Sequence, residues 1–348
     1  MLTIKDVARL ADVSIATVSA VMNGKGGVSP ELAQRVQQAM EALDYHPNQV
    51  ARSLKVRQTH TIGMVIPDVT NPFFTDVMRG VEDEARRNGY SVIFCNANED
   101  PELERRQLST LFSRRVDGVL LAPTDSLAAQ DRLTRRRFPL VFFDRIPTDF
   151  SGTAVVTDNL EASREAARHL IGLGHQRIAV IAGRLNLSNG LKRLEGFRQA
   201  LQEAHLPLRE EYLRRGDFQL EGGYQCGLEL MGLPDPPSAI FCCNNKMTLG
   251  LMRALGELRI PCPERVSVLG FDDFDWAASF SPRLTTIAQP AYEMGKTAVE
   301  LLLSRLGTRK GSPGGSEDTI VTLKAALCVR DSTAPPCTAP LTGGGFSP

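Results

Sequence analysis

Thr3–Asn23, TIKDVARLADVSIATVSAVMN, reads as two short helices on either side of a tight turn. Thr3 caps the first, and Asp6, three residues on, puts negative charge at its amino end. Val7, Ala8, Leu10 and Ala11 follow as an apolar stripe at helical spacing. Ser14 is the second cap, with Val18, Val21 and Met22 recurring behind it at i, i+3 and i+4. At about 100° per residue these three define the inward side of the second helix. Ala16 and Ala20 then fall nearly opposite, Thr17 and Ser19 lie on the flanks, and Ile15 sits closer to the core side in the first turn. An outward face of small side chains lets a helix approach another surface closely, and a DNA major groove is one such surface. An ordinary helical hairpin fits the same periodicity.

Ser29 caps a third helix after the Lys25-Gly26-Gly27 turn, with Pro30 at its first position, where proline is tolerated. Leu32, Val36, Ala39, Met40 and Leu43 form its core stripe and close a three-helix head near Tyr45. Pro47-Asn48 opens about two turns of helix carrying Val50, Ala51 and Leu54, too short to hold without a partner. Thr59–Thr61 reads as a linker. From Ile62 the pattern alternates: IGMVIP, YSVIFCN, DGVLLAP, PLVFFD, AVVTD, RIAVIAG, SAIFCCN and VSVLGF are apolar strands separated by helical periods. Continuous apolar strands between helices mean parallel sheets covered on both faces, here in two similar lobes. Beyond Arg330 the Pro- and Gly-rich STAPPCTAPLTGGGFSP reads as a tail without fixed structure.

A chain of 348 residues carries two or three domains with sizeable cores, and its 40 basic and 40 acidic side chains give no global field. Residues 1–60 lean slightly basic: Lys5, Arg9, Lys25, Arg35, Arg52, Lys55 and Arg57 stand against Asp6, Asp12, Glu31, Glu41 and Asp44. Cys95, Cys226, Cys242, Cys243, Cys262, Cys328 and Cys337 show no CxxC spacing, and the five histidines are scattered. Buried thiols in a reducing cytoplasm are expected, and no metal or cofactor. No apolar leader or membrane-length run occurs. Walker, dinucleotide, nucleophile-elbow and zincin motifs are all missing, which disfavours an enzyme. In open parallel sheets ligands bind beyond the carboxyl ends of the strands. The polar groups there are Asp68, Asn71, Asp144, Arg145, Asn244, Asn245, Asp272 and Asp273. Two facing lobes would bring them to one cleft.

The head segment, together with Val28-Ser29, Asp44-Tyr45-His46-Pro47-Asn48 and Ala51-Arg52-Ser53-Leu54, strongly resembles the LacI/GalR family of bacterial transcription repressors. The resemblance runs to about Arg330, and the hinge stretch VARSLKV is similar to the purine-repressor branch. It implies an all-α helix-turn-helix head followed by an α/β core of two Rossmann-like, parallel-sheet lobes, like a periplasmic binding protein. The expected domains are the head at 1–46, a hinge helix and linker at 47–60, the core at 61–331 and the tail at 332–348. Lobe one would hold about 61–158 and 290–318, and lobe two about 159–289 and 319–331, the chain returning near Pro290 and crossing back near Thr319.

By resemblance, DNA contacts fall to Thr3, Ser14, Ile15, Ala16, Thr17, Ser19, Ala20 and Asn23 in the head. Asn48, Ala51, Leu54 and Lys55 would follow in the hinge, the leucines entering the minor groove as wedges. Residues 15, 16 and 20 choose the bases in that family; here all are apolar. A small-molecule effector, a sugar or sugar derivative, would bind Asn71, Phe73, Phe74, Asp144, Arg193, Phe218, Asn244 and Asp272. Carboxylates and an arginine fork suit vicinal diols. Asn245 stands where the family usually has aspartate, which points to a pocket less acidic there. Tetrameric members end in leucine heptads, which this chain lacks, so a homodimer on palindromic operator DNA is expected, with no membrane partner. A two-lobed solute-binding protein is the alternative, and residues 1–60 do not suit its export.

Overall fold

The computed structural model describes residues 2–22, 27–45, 58–125, 138–147, 152–308 and 318–337. Asn23, Asn48, Ala51, Leu54 and Lys55 lie outside them, as does the Arg135–Arg137 run. The chain forms two units, Met1–Thr59 and His60–Pro348.

The head consists of α1 (Ile4–Leu10), α2 (Ile15–Met22) and α3 (Pro30–Ala42). Thr3 N–H and Oγ1 both donate to Asp6 Oδ2, at 2.9 and 2.7 Å, closing the first end. Ser14 Oγ accepts the Thr17 N–H at 3.0 Å and Ser29 Oγ that of Leu32 at 3.4 Å, so each helix starts at its own cap. Val7, Ala8, Ala11, Val18, Val36 and Ala39 are buried together, with Ile4, Val13, Val21, Met22, Met40, Leu43 and Tyr45 around them. Leu10, expected in this stripe, is 55 % exposed. The small side chains of Ala8 and Ala11 take the seam beside Val7 and turn Leu10 outward.

The core holds two six-stranded sheets. The first contains β1 (Thr61–Ile66), β2 (Ser91–Asn96), β3 (Gly118–Leu121), β4 (Leu140–Phe143), β5 (Ala154–Thr157) and β11 (Ile320–Leu323) in the order β11-β5-β4-β3-β1-β2. The second contains β6 (Ile178–Ala182), β7 (Leu213–Arg215), β8 (Ala239–Cys242), β9 (Ser267–Phe271), β10 (Thr285–Ala288) and β12 (Ala326–Cys328) in the order β12-β10-β9-β8-β6-β7. Every pairing is parallel except β10 with β12. Helices α4 (Pro72–Arg87), α5 (Pro101–Ser113) and α10 (Ala291–Thr308) belong to the first lobe. The second has α6 (Asn159–Gly172), α7 (Ser188–Glu203), α8 (Leu220–Met231) and α9 (Asn245–Glu257). At the α4–α10 crossing a Cβ on Gly80 would strike the Tyr292 carbonyl and one on Gly295 that of Val77, so the backbones touch only because both are glycine.

The chain does return to the first lobe after β10, but it crosses back later than residue 319. Ile320–Leu323 pairs along Ala154–Thr157, so residues 319–323 belong to lobe one and the crossing falls at Lys324-Ala325. The expected tail also starts too early. Ser332 is buried, its Oγ accepting from Thr285 N–H and donating to Val268 O, both at 2.7 Å. Thr333 Oγ1 meets His169 Nε2 at 3.0 Å, and the Ala334 carbonyl meets His175 Nε2 at 2.9 Å. A Pro-rich composition does not preclude order where the backbone groups find buried partners.

Candidate effector cleft and DNA-reading helix

The cleft is built at the carboxyl ends of strands from both sheets. Asn71 caps α4, accepting the Phe73 N–H at 3.0 Å, and α4 then presents Phe73 and Phe74. Asp144 follows β4 and Asp272 follows β9, both at positive φ (60° and 74°), which turns their carboxyls away from the strand path. Arg193 comes from α7, Phe218 from the loop after β7, and Asn244 caps α9. All eight residues expected from the sequence line one cavity, and Arg145, Asn189 and Gln289 line it with them. Its free volume is about 10 Å³, room for no more than one water, so a small-molecule ring enters only when these walls separate. Two wider surface grooves, about 570 Å³ along Arg198–Leu213 and about 510 Å³ along Leu249–Pro282, lack such a converging polar set.

Arg193 is 2 % exposed. It donates from Nε to Asn159 Oδ1 and from NH1 to the Cys243 carbonyl, both at 2.7 Å, and lies 3.6 Å above the Phe271 ring. These contacts fix it whatever the cleft holds. Arg145, opposite, is gripped bidentately by Glu99 at 2.8 and 3.0 Å, with its Nε 3.3 Å from Asp144 Oδ2. Its guanidinium also faces the rings of Phe218 (5.3 Å) and Phe74 (5.8 Å). Burial raises the Asp144 carboxyl above its ordinary range, although Arg145 and Arg193 oppose that and Asn189 donates to it at 3.2 Å. Gln289 donates to Asp272 and accepts from Thr157 Oγ1 at 2.6 Å, bridging the two lobes.

Asn245 was expected to tune pocket acidity, but it does not line the cavity. Its Nδ2 crosses the cleft to Asn71 Oδ1 at 2.8 Å. Next to it, Lys246 Nζ pairs with Asp68 Oδ2 at 2.7 Å and Gln219 Oε1 at 2.7 Å. Asp68 feels burial most strongly, yet the bonds from Lys246 and Thr70 hold its carboxyl below the usual value. Arg184 reaches Glu99 at 3.4 Å from the other lobe. These contacts close the cleft's rim. Asp273 faces away, held by Arg330 at 2.8 Å. Arg145, Asn189 and Gln289 were missing from the expected set. Arg145 was visible as a strand-end neighbour of Asp144, whereas nothing local marks Asn189 or Gln289.

On the head, Ile15 is 45 % exposed and Ala16 is open to solvent, while Thr17, Ser19 and Ala20 are partly covered and Val18 is fully buried. Ile15 therefore belongs to the outward face and not to the core side. Thr17 Oγ1 sits 2.9 Å from Ser14 Oγ. Among the described residues no helix is long and apolar enough to cross a membrane.

A model described as bacterial regulatory proteins, lacI family, matches residues 3–48, and a periplasmic binding protein-like domain matches residues 167–333. The ribose operon repressor of Escherichia coli (strain K12) is 39 % identical over 308 residues, 88 % of this chain and 93 % of that protein. The repressor PurR of Histophilus somni (strain 129Pt) is 36 % identical over 334 residues, 95 % of this chain and 99 % of that one. The lac repressor dimer bound to operator and the anti-inducer ONPF superposes with TM-score 0.85 at 27 % identity, covering 96 % of this chain and 99 % of that one. A LacI family regulator from Enterococcus faecium with bound ribose gives 0.69 at 34 %, covering 79 % and 99 %. With a capped helix-turn-helix head, two parallel-sheet lobes and relatives of this similarity along most of its length, the chain belongs to the lacI family of bacterial transcription regulators.

Proposed function

We propose that the protein is a repressor that binds palindromic operator DNA as a homodimer, and that a neutral pentose of the ribose class in the core cleft sets its DNA affinity. The observation that carries the effector reading is the cleft's wall. Asp144 and Asp272 supply acceptors, Arg145 and Arg193 supply donors, amides of Asn71, Asn189, Asn244 and Gln289 fill the gaps, and three phenyl rings flank them. A carboxylate accepts hydroxyl donors and the Arg193 guanidinium edge donates, while the Arg145 fork is taken by Glu99; acceptors and amides in such excess match a ring carrying a hydroxyl on nearly every carbon. Glu99 neutralises Arg145, so Asp144 and Asp272 face Arg193 alone and the wall carries no positive excess for a phosphate or acid to neutralise. Ribose operon repressors among the relatives, and the ribose-bound regulator, support the same class.

A purine is the second reading, favoured by the ring faces of Phe73, Phe74 and Phe218 and by the hinge stretch VARSLKV, which is similar to the purine-repressor branch. Thermal shift and calorimetry on the full chain with ribose, other pentoses, sugar acids, guanine and hypoxanthine separate the two. Ribose is expected to raise Tm in proportion to the logarithm of its concentration. A shift with purines alone would transfer the site to the second reading. Anisotropy on palindromic duplexes selected by the protein, with and without the ligand, tests the regulatory half, and steep salt dependence is expected of any true DNA reader.

A further inference from the structure

The turn joining α1 to α2 rests on a non-glycine residue in the left-handed conformation. Asp12 has φ of 51°, in the left-handed region that glycine enters freely and a side chain enters at a cost. The surrounding bonds are those of a Schellman helix end: Asp12 N–H donates to the Arg9 carbonyl at 3.3 Å and Val13 N–H to the Ala8 carbonyl at 3.0 Å. Glycine is the usual residue at that position. Here the compensation comes from another helix. Arg35, on α3, donates from NH2 to the Ala11 carbonyl at 2.6 Å and to the Asp12 carbonyl at 3.3 Å. The same guanidinium nitrogen lies 3.6 Å from the Asp12 carboxylate. A cation set against the last carbonyls of a helix also suits the negative end of its dipole.

Only Val13 separates Asp12 from Ser14, the cap of α2, so the conformation held at Asp12 fixes the direction in which α2 leaves the turn. We propose that Arg35 is a positioning residue for DNA recognition: it holds the strained turn and thereby aims α2, without itself reading a base or a phosphate. The competing role for a basic side chain that is 42 % exposed is a direct phosphate contact. The two differ in salt dependence and in what a glycine at residue 12 would repair.

The test uses the full chain as wild type, Arg35→Met, Asp12→Gly and the double variant, with anisotropy on a duplex selected by the wild-type protein from a random palindromic pool. Amide hydrogen exchange over residues 13–22 is followed in parallel and needs no DNA. Arg35→Met is expected to weaken binding about tenfold with an unchanged salt slope, and to speed exchange in α2. Asp12→Gly alone should bind as wild type, and in the double variant it should restore most of the lost affinity and protection. A salt slope reduced by about one assigns Arg35 to a phosphate and overturns the proposal. Unchanged exchange in Arg35→Met, or no recovery in the double variant, overturns it as well.

Discussion

The residues expected to choose bases, Ile15, Ala16 and Ala20, all lie on the eight-residue helix Ile15–Met22, and the caps and stripe that orient it lie within a few turns of chain. The core cleft draws its wall from segments as far apart in sequence as Asn71 and Gln289, and no two neighbours in the chain settle its shape. Among the described residues the head's fully buried side chains are all alanine or valine, with Tyr45 only half-buried at the edge, whereas each core lobe buries several phenylalanines. A small core exposes a surface cheaply but has little stability to spare. Large cores can hold a buried arginine or carboxylate in place. The two regions should therefore respond separately to substitution.

The largest effect should follow Arg193→Ala. It strips Asn159 Oδ1 and the Cys243 carbonyl of a buried charged donor, at a cost of about 3 kcal/mol in core stability. Ribose binding should vanish in calorimetry while the head's unfolding transition and DNA binding persist. A head transition that moves with the core's would break the comparison.

Val36→Ala tests it from the other side. Val36 is fully buried in the small head cluster, and removing its methyls should cost about 2 kcal/mol there. Loss of operator binding with unaltered ribose affinity is the expected result, read by anisotropy and calorimetry on the same preparation.

Mild acid should weaken the core more than the head. Burial lowers the pKa of both His169 and His175, and His169 beside it adds to the effect on His175. A base depressed in the native state contributes full stability above its unfolded value near 6.5, and that contribution is lost as the pH falls below it. The raised Asp144 carboxyl works the other way, gaining stability as it protonates. Core Tm should nevertheless fall more between pH 7 and 5 in wild type than in His175→Gln, because only the former must charge this buried imidazole. The head carries a single histidine, His46, so its transition should move less than the core's.

The smallest effect concerns base reading. With Ile15, Ala16 and Ala20 unable to donate to guanine edges, base discrimination by α2 is expected to lean on thymine methyls. Replacing one contacted thymine by uracil should weaken binding by about 0.8 kcal/mol per buried methyl. Equal affinity for both duplexes would show that the specificity lies elsewhere.

The head's caps, the inward stripe of α2, the alternation of strands and helices, and the polar strand-end residues Asn71, Asp144, Asn244 and Asp272 are written in local pattern, whereas Phe73, Phe74, Arg193 and Phe218 entered the expected cleft only through the family resemblance. Period and capping depend on neighbours three or four residues away, so one chain suffices to read them. Leu10 escaped that reading because a stripe says which residues share a face but not how wide the seam is. Only tertiary structure decided that residues 319–323 stay with the first sheet, a matter of hydrogen-bond register with β5. It alone docked Ser332–Ala334 against β9 and His175, through bonds no composition reveals. It also sent Asn245 across the cleft to Asn71 and brought Asn189 and Gln289 into the wall. Those placements depend on how two lobes close on each other, and the side chains that meet there are not neighbours in any periodic pattern of the chain.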